Sequence, residues 1–501
     1  MRFDPSFTST LRLTLSAVAL ASLTACASFS GITSQAKPLD AQALNLITPA
    51  SAATSAAPAP LALDAQWWLG FGDAELNHLV EQALASHPSL RSAQARLARA
   101  RAVSDVVAAA DGPQVGVGLD TSHQRFTATG LYPPPLAGAV YDTGTLQVAG
   151  TWELDLFGKN RAALDAAIGQ TRAAEADAAA ARMLLASNVA RTYFSLVRTH
   201  AQLDVAQRTL AQRQQTLALV QDRVKAGLDT QLEQQQSESA LPDARMQIEV
   251  LKEQKALALN TLGALISQPN RPLSLELPAQ AAIKIIATTS TVPIDLLGRR
   301  ADISAARWRV EAATRDVDSA KAQFYPNINL TAFAGYSSIG LDRLLQTGSQ
   351  QWGVGPAIRL PLFDGGRLRA NLRGKTADLD GSIESYNALV LDAVRDVTDQ
   401  LTSTQAIARQ QTEQAQAQTS AEAAYTIALQ RYQAGLANYL NVLSAETAVL
   451  AQRRQAVDLA ARALDTQVQL IRALGGGFQA NATATTTATA PQSTLAKVST
   501  P

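Results

Sequence analysis

Catalysis and metal binding need side chains that converge, and the residue types able to do this are sparse in the 501-residue chain. Its four histidines, His78, His87, His123 and His200, fall on unrelated segments, and its single cysteine, Cys26, lies far from all of them in sequence. A tetrahedral zinc site needs paired ligands at short spacing, and a Cys/His nucleophile needs its base within hydrogen-bond reach. Neither pattern is present. Gly116-Val117-Gly118 sits inside a strand-like alternation with no glycine-rich turn into a helix, so it is not a phosphate loop. Asp364-Gly365-Gly366 could suggest a metal turn, but an aspartate ahead of a long helical run reads more simply as a strand-to-helix turn with the aspartate as cap. Gly475-Gly476-Gly477 follows a helical run and reads as its stop. The sequence therefore predicts no enzyme, no cofactor, and no catalytic or metal-binding residues.

The remaining chemistry is at Cys26. Arg2 and Arg12 precede a short apolar run, Leu13 to Leu23, and Leu23-Thr24-Ala25-Cys26 closes it. This order of charge, apolar run and small residues is that of a secretory signal, and the run is too short to span a bilayer as a helix. Leu-x-Ala-Cys resembles a bacterial lipoprotein box. The resemblance implies removal of residues 1–25 and attachment of fatty-acyl chains, such as palmitate, to Cys26. Ala27 rather than aspartate after the cysteine resembles the class sorted to the outer membrane. An ordinary cleavage site with an incidental cysteine is the alternative.

Composition narrows the partners. The formal net charge is +1, with 17% charged and 47% hydrophobic residues, so there is no basic field for nucleic acid. No segment after the signal has 18 uninterrupted apolar residues, so a membrane role has to run through β-strands. Residues 26–66 are rich in Ala, Pro and Ser and read as an anchor and extended linker; residues 477–501 are a low-complexity Ala/Thr tail.

The elements between these ends come in two copies. Order begins at Trp67-Trp68, and Asp73 is placed to cap a helix opening near Glu75, with Leu76, Leu79, Val80 and Ala83 on one face. A second helix runs from Pro88 to about Ala110. The period then changes to two: Val115, Val117 and Leu119, then Leu146, Val148, Trp152 and Leu154, alternate with small or polar residues, predicting a hairpin over about 113–155. The second copy predicts a hairpin over about 326–363. There Ile328, Leu330, Ala332, Ala334 and Tyr336 face one way, Asn327, Asn329 and Thr331 mostly face the other, and Trp352 and Val354 follow. Leu119, Leu146, Val148, Trp152, Ile328, Leu330, Trp352 and Val354 are expected to face lipid. From about Lys159 to Val224 there is no proline, which predicts roughly 100 Å of helix; a second tract runs from about Arg367 to Ala434. The returning helices are expected over Leu232 to Leu265, with a kink at Pro242, and over Tyr439 to Leu474. Helices of this length belong to coiled coils. The repeated turns are Arg223-Val-Lys-Ala-Gly227-Leu and Arg431-Tyr-Gln-Ala-Gly435-Leu, with Gly227 and Gly435 suited to the reversals. Units are thus expected at 67–268 and 298–476, with a proline-punctuated insert at 269–297.

Four strands cannot close a membrane barrel, which needs at least eight, so several chains must each lend two hairpins. Here the chain resembles the outer-membrane factors of the TolC/OprM type, and within them the NodT-like lipoprotein channels of tripartite RND efflux systems. The residues carrying the resemblance are Trp67-Trp68-x-x-Phe71-x-Asp73-x-x-Leu76-x-x-Leu79-Val80, Asp155-Leu-Phe-Gly158, Leu360-Pro-Leu-Phe-Asp-Gly-Gly366 and Arg431-Tyr-x-x-Gly435-x-x-x-Tyr439-Leu-x-Val442-Leu. The resemblance implies a mixed α+β membrane protein: a homotrimer with a joint 12-stranded outer-membrane β-barrel, continuous with a long periplasmic α-helical barrel. It also implies a location in the outer membrane of a Gram-negative bacterium, in contact with its lipid. A periplasmic adaptor and an inner-membrane pump are the implied partners, with passive conduction of small molecules or drugs outward. It further implies a periplasmic gate at the helix tips, with Arg223, Asp229, Arg431, Tyr432 and Asn438 as candidate gate residues. Ala437 stands where relatives often carry aspartate, which moves the expected acidic role to Asp229. Arg431 and Tyr432 suit gating or simple tip packing equally, and the tip charges are expected to be exposed and wet. The competing reading is a lipid-anchored periplasmic coiled-coil scaffold or adaptor without its own pore.

Overall fold

A computed structural model describes residues 29–39, 64–285 and 296–479. The signal segment, Cys26, most of the linker, Ile286 to Asp295 and the tail from 480 lie outside the described residues. Among the described residues no helix is long and apolar enough to cross a membrane.

The order of elements is a short 3-10 turn at Trp67–Phe71, α1 (Ala74–Ser86), α2 (Pro88–Ala109), β1 (Gln114–Arg125), β2 (Val140–Leu154), α3 (Lys159–Lys225) and α4 (Gln231–Leu265). After the insert come α5 (Ala301–Ala322), β3 (Asn327–Ile339), β4 (Gln350–Arg359), α6 (Arg367–Gln433) and α7 (Tyr439–Ala473). Both long helices have 67 residues and both returning helices have 35. The starts and ends of α3 and α4 map onto those of α6 and α7 at one constant spacing, so the duplication holds residue by residue over this stretch. At 1.5 Å per residue each 67-residue helix is about 100 Å long. Pro242 lies within the continuous span of α4.

Local chemistry sets the ends. Asp73 accepts hydrogen bonds from the amides of Glu75 and Leu76 and so caps α1. Asp364 accepts from the amides of Gly366 (2.9 Å) and Leu368 (2.8 Å) at the start of α6, the cap expected from its position. α7 ends where Gly476 donates to the Ile471 carbonyl with the glycines in left-handed conformations.

The chain divides into two compact units, 1–40 with 91–178 and 305–391, and 41–90 with 179–304 and 392–501. The first holds the sheet, four antiparallel strands in the order β1-β2-β3-β4. It also holds a small core in which Val317, Phe324, Leu372 and Ile383 pack with Phe29 and Ile32 of the N-terminal segment. That segment is anchored by one carboxylate: Ser34 Oγ and the amides of Gln35 and Ala36 all donate to Asp380 Oδ1.

The second unit holds the larger core. Trp67, Trp68, Phe71, Leu76, Leu79 and Val80 are all buried, against Tyr193, Phe194, Val197, Leu262, Val468 and Ile471. The Trp67-to-Val80 motif is therefore a docking segment whose apolar residues fill one core. Its polar member Asp73 also accepts a 2.6 Å hydrogen bond from the Tyr193 hydroxyl. Burial, then the hydrogen bond and charge of Asp73, push the Tyr193 hydroxyl well above the usual range, so it stays a donor. α3 and α7 are tied by Arg191–Asp465 at 2.6 Å and Arg198–Asp458 at 2.7 Å, seven residues apart on each helix, the register of an antiparallel coiled coil.

Candidate functional site

Two surfaces carry the functional argument: the faces of the sheet in the first unit and the helix tips in the second.

In an antiparallel sheet directly paired residues share a face. The register pairs Leu119 with Leu146 and Leu146 with Tyr336; Val148 with Val117 and Ala334; Trp152 with Leu330; and Ile328 with Ile358. Trp352 pairs with Ala334 and Val354 with Ala332. All eight residues expected to face lipid therefore lie on one face of the sheet. Val115, Val117, Leu119, Val148, Trp352, Val354 and Ile358 are exposed there. The other face carries Asp120, Gln147, Thr151, Glu153, Asn329, Thr331 and Gln351. Phe333 is an exception on that polar face. Its ring lies over Gly353, where a Cβ would come within 2.7 Å of it. The alternation of Asn327, Asn329 and Thr331 runs on to Phe333, and Gly353 opposite was the only hint of its partner.

The apolar face approaches the height of the apolar band of an outer-membrane barrel. From Ile328 to Tyr336 the strand rises about 27 Å, or about 20 Å once tilted as barrel strands are, against an apolar band of about 25 Å. Trp152 marks one end, its Nε1 donating to the Asp111 carbonyl at 2.8 Å. Trp352 and Tyr336 lie toward the other, the arrangement of paired aromatic girdles. Strands β1 and β4 are the edges of the sheet, each with one side left without a pairing strand among the described residues. Unpaired backbone groups are not tolerated in hydrocarbon, so the sheet is complete only when other chains continue it.

At the tips, α3 ends with Leu228 N–H donating to the Arg223 carbonyl (2.9 Å) and Gly227 at φ 72°. α6 ends in the same way, Leu436 N–H on the Arg431 carbonyl (2.8 Å) and Gly435 at φ 74°. Thr230 then caps α4 in a reciprocal box with Glu233, and Asn438 caps α7 by accepting from Asn441 N–H at 3.3 Å.

Three of the candidate gate residues meet. Arg223 Nε donates to Asp229 Oδ2 at 2.9 Å, the Tyr432 hydroxyl donates to the same oxygen, and the Arg223 guanidinium lies 4.5 Å over the Tyr432 ring. Tyr432 is fully buried among Val220, Tyr425, Tyr439 and Val442. The expectation that the tip charges are exposed is overturned: the Arg223 and Asp229 side chains are only 11% and 9% exposed, because the Tyr432 ring and the two turns cover them. Burial pushes the Asp229 carboxyl up, but the hydrogen bonds from Arg223 and Tyr432 and the guanidinium charge outweigh it and hold it below the usual carboxylate range. Burial, then the bond to Asp229, pushes the Tyr432 hydroxyl well above its usual range, so it remains protonated and donating. Arg431 is exposed, and its side chain has no hydrogen bond or ion pair among the described residues. Asn438 stands in the cap, apart from the cluster. No group of three or more His, Cys, Asp or Glu able to hold a metal occurs among the described residues.

The family model described as outer membrane efflux protein matches residues 79–268 and 292–476. The chain is 34% identical over 454 residues to the multidrug resistance outer membrane protein MdtQ of Escherichia coli, covering 87% of this chain and 94% of the relative. It is 33% identical over 424 residues to MdtP of the same species, covering 83% and 87%. Among solved structures it is similar to the outer membrane protein VceC of Vibrio cholerae, with TM-score 0.78 and 37% identity over 83% of this chain and all of that one. A membrane protein of Pseudomonas aeruginosa is similar at TM-score 0.76 and 30% identity, covering 88% of this chain and 100% of that one.

Proposed function

The chain belongs to the outer membrane efflux protein family, and from that premise we propose that it is the outer-membrane conduit of a tripartite efflux system, built as a homotrimer. As an efflux channel of the outer membrane it needs no chemistry of its own. The observation that carries the reading is the sheet: one face apolar over most of the height of a barrel's apolar band, the other polar, both edges open among the described residues. Three copies give 12 strands, an even number above the minimum for a barrel. The apolar faces then turn to lipid and the polar faces line water. A scaffold without a pore has no use for such a sheet.

Energy comes from an inner-membrane pump of the RND type, coupled through a periplasmic adaptor, and conduction through the channel is passive. The multidrug resistance in the name of MdtQ supports drug-like small molecules as cargo. The Arg223–Asp229–Tyr432 cluster acts as a lock that holds two hairpin tips of one chain together in the resting channel. Cys26 is the lipidated mature N-terminus, a reading that rests on Leu23-Thr24-Ala25-Cys26 and on its being the sole cysteine.

Planar-bilayer conductance of the purified protein tests the reading. Stepwise currents with low resting conductance are expected, and a protein that assembles yet never conducts overturns it. Mass spectrometry of the mature N-terminus tests the anchor, with an unmodified Cys26 as the contrary result.

A further inference from the structure

We propose that the β3–β4 loop is a lipid-contacting surface, folded back onto the apolar face of the sheet so that its leucines enter the outer leaflet. The proposal rests on the reading of that face as lipid-facing.

The loop leaves β3 at Ile339 and returns at Gln350 through two short turns, Leu341–Arg343 and Thr347–Ser349. A loop at the outer end of a pore strand has three destinations: solvent, the pore mouth, or the outside of the barrel. Gly144 decides between them. It lies two residues before Leu146 on β2 and pairs with Ser338, so the side chain it lacks would point out from the apolar face. A Cβ there would stand 2.8 Å from Leu341 Cδ2 and 3.2 Å from Leu344 Cδ2. Both leucines therefore lie on the apolar face, in the space that glycine leaves open.

Hydrogen bonds fix the fold-back. Gly340 N–H donates to the Asp142 carbonyl at 2.6 Å, and Ser349 Oγ donates to the Arg343 carbonyl at 2.8 Å. Leu344 is 9% exposed as a result, while Leu345 beside it is 71% exposed and Leu341 is also exposed. Leu341, beside Gly144, continues the apolar band past Tyr336, and Leu345, next to Leu344 in the chain, is the more exposed of the two.

The position of the loop selects lipid over a second copy of the chain. It covers β2, a central strand, whereas the sheet edges open to another chain are those of β1 and β4. The β1–β2 loop supplies the contrast. Its Phe126 packs against Tyr132 and against Tyr141, whose ring belongs to the polar face, and carries that loop the other way.

Nitroxide labels at Leu345→Cys, Leu330→Cys and Gln351→Cys, in phosphatidylethanolamine–phosphatidylglycerol proteoliposomes, test the proposal. Label on the wild type sets any background from Cys26. The ratio of oxygen to water-soluble nickel-complex accessibility reads depth. It is expected to be high at 330, low at 351 on the polar face, and at 345 clearly above 351. Gly144→Val, which displaces the two leucines, should shift the ratio at 345 toward the aqueous value. A ratio at 345 equal to that at 351, with 330 still high, overturns the loop proposal alone. A low ratio at 330 overturns the lipid-facing reading of the sheet and the loop proposal with it. An unchanged 345 ratio in a folded Gly144→Val protein overturns the fold-back.

Discussion

The two helix tips share a backbone and differ in chemistry. Both end on a left-handed glycine, both have arginine four residues before it, and both close with the same pair of amide-to-carbonyl bonds. At equivalent positions the first tip has Val224, Asp229 and Thr230, and the second has Tyr432, Ala437 and Asn438. The acid survives in one copy and the phenol in the other, and they meet across the hairpins. Arg223 is held by Asp229, whereas its counterpart Arg431 is left in solvent. Duplication supplies the geometry, and divergence of a few side chains puts the acid on one half and the phenol on the other, where they meet.

The largest effect is expected from Asp229→Ala. It removes the hydrogen bonds from Arg223 and from Tyr432 at once and leaves the covered Arg223 without its counter-charge. A fully buried pair loses about 3–5 kcal/mol when one partner is removed, and a cluster at the hairpin tips, whose side chains are still partly exposed, belongs at or below the lower end of that range. A loss on the order of 2–3 kcal/mol per chain shifts a closed population strongly. Single-channel records should show a large rise in resting conductance while the assembled protein stays intact; unchanged conductance would separate the cluster from the gate.

Acid should reproduce the same loss. The Asp229 carboxyl titrates below its usual range in the folded chain, so its contribution is present above the ordinary carboxylate pKa and disappears as pH falls through the lowered one. Resting conductance should be flat from neutral pH to about 5, then rise in stronger acid. Asp229→Asn should remove that rise. A wild-type transition near pH 6–7 would point to a histidine instead.

Tyr432→Phe ranks next. The ring stays in its core with Tyr425 and Tyr439, Arg223 keeps its aromatic face, and only the hydroxyl bond to Asp229 is lost. A cost of about 1–2 kcal/mol is expected, with conductance between wild type and Asp229→Ala. An effect as large as that of Asp229→Ala would mean that the tyrosine, not the salt bridge, carries the lock.

Much of this molecule is legible in its residues because long elements announce themselves. The proline-free run after Lys159 gives a helix that ends at Lys225, Asp73 and Asp364 are visible as caps, and period two puts eight apolar residues on one face. The long-range meetings are not legible. Asp229 and Tyr432 are far apart in sequence, and no periodicity says which side chains of two separate hairpins touch. For the same reason Arg223 and Arg431 look alike in sequence, yet only one is covered. Phe333 breaks the polar face because its support is a glycine on the next strand. The fold-back of the β3–β4 loop rests likewise on Gly144, a missing side chain that sequence alone does not assign to a neighbour.

The smallest expected effect sharpens the comparison most. Ala437→Asp gives the second tip the acid at the position equivalent to Asp229, next to an Arg431 with no partner among the described residues. If the backbone match between the tips is sufficient, the new carboxylate pairs with Arg431 as Asp229 does with Arg223. The second pair would lack a tyrosine, since the equivalent position in the first tip is Val224. It would stay solvated and be worth only about 0–1 kcal/mol, screened by salt. Resting conductance should therefore fall slightly at low ionic strength and return to the wild-type value in high salt. The double variant Asp229→Ala with Ala437→Asp is the sharper arm. A pair confined to the second tip cannot bridge the hairpins, so it should leave the channel as open as Asp229→Ala alone. Full restoration of the closed state would mean that the position of the acid is immaterial and that the asymmetry between the tips is incidental.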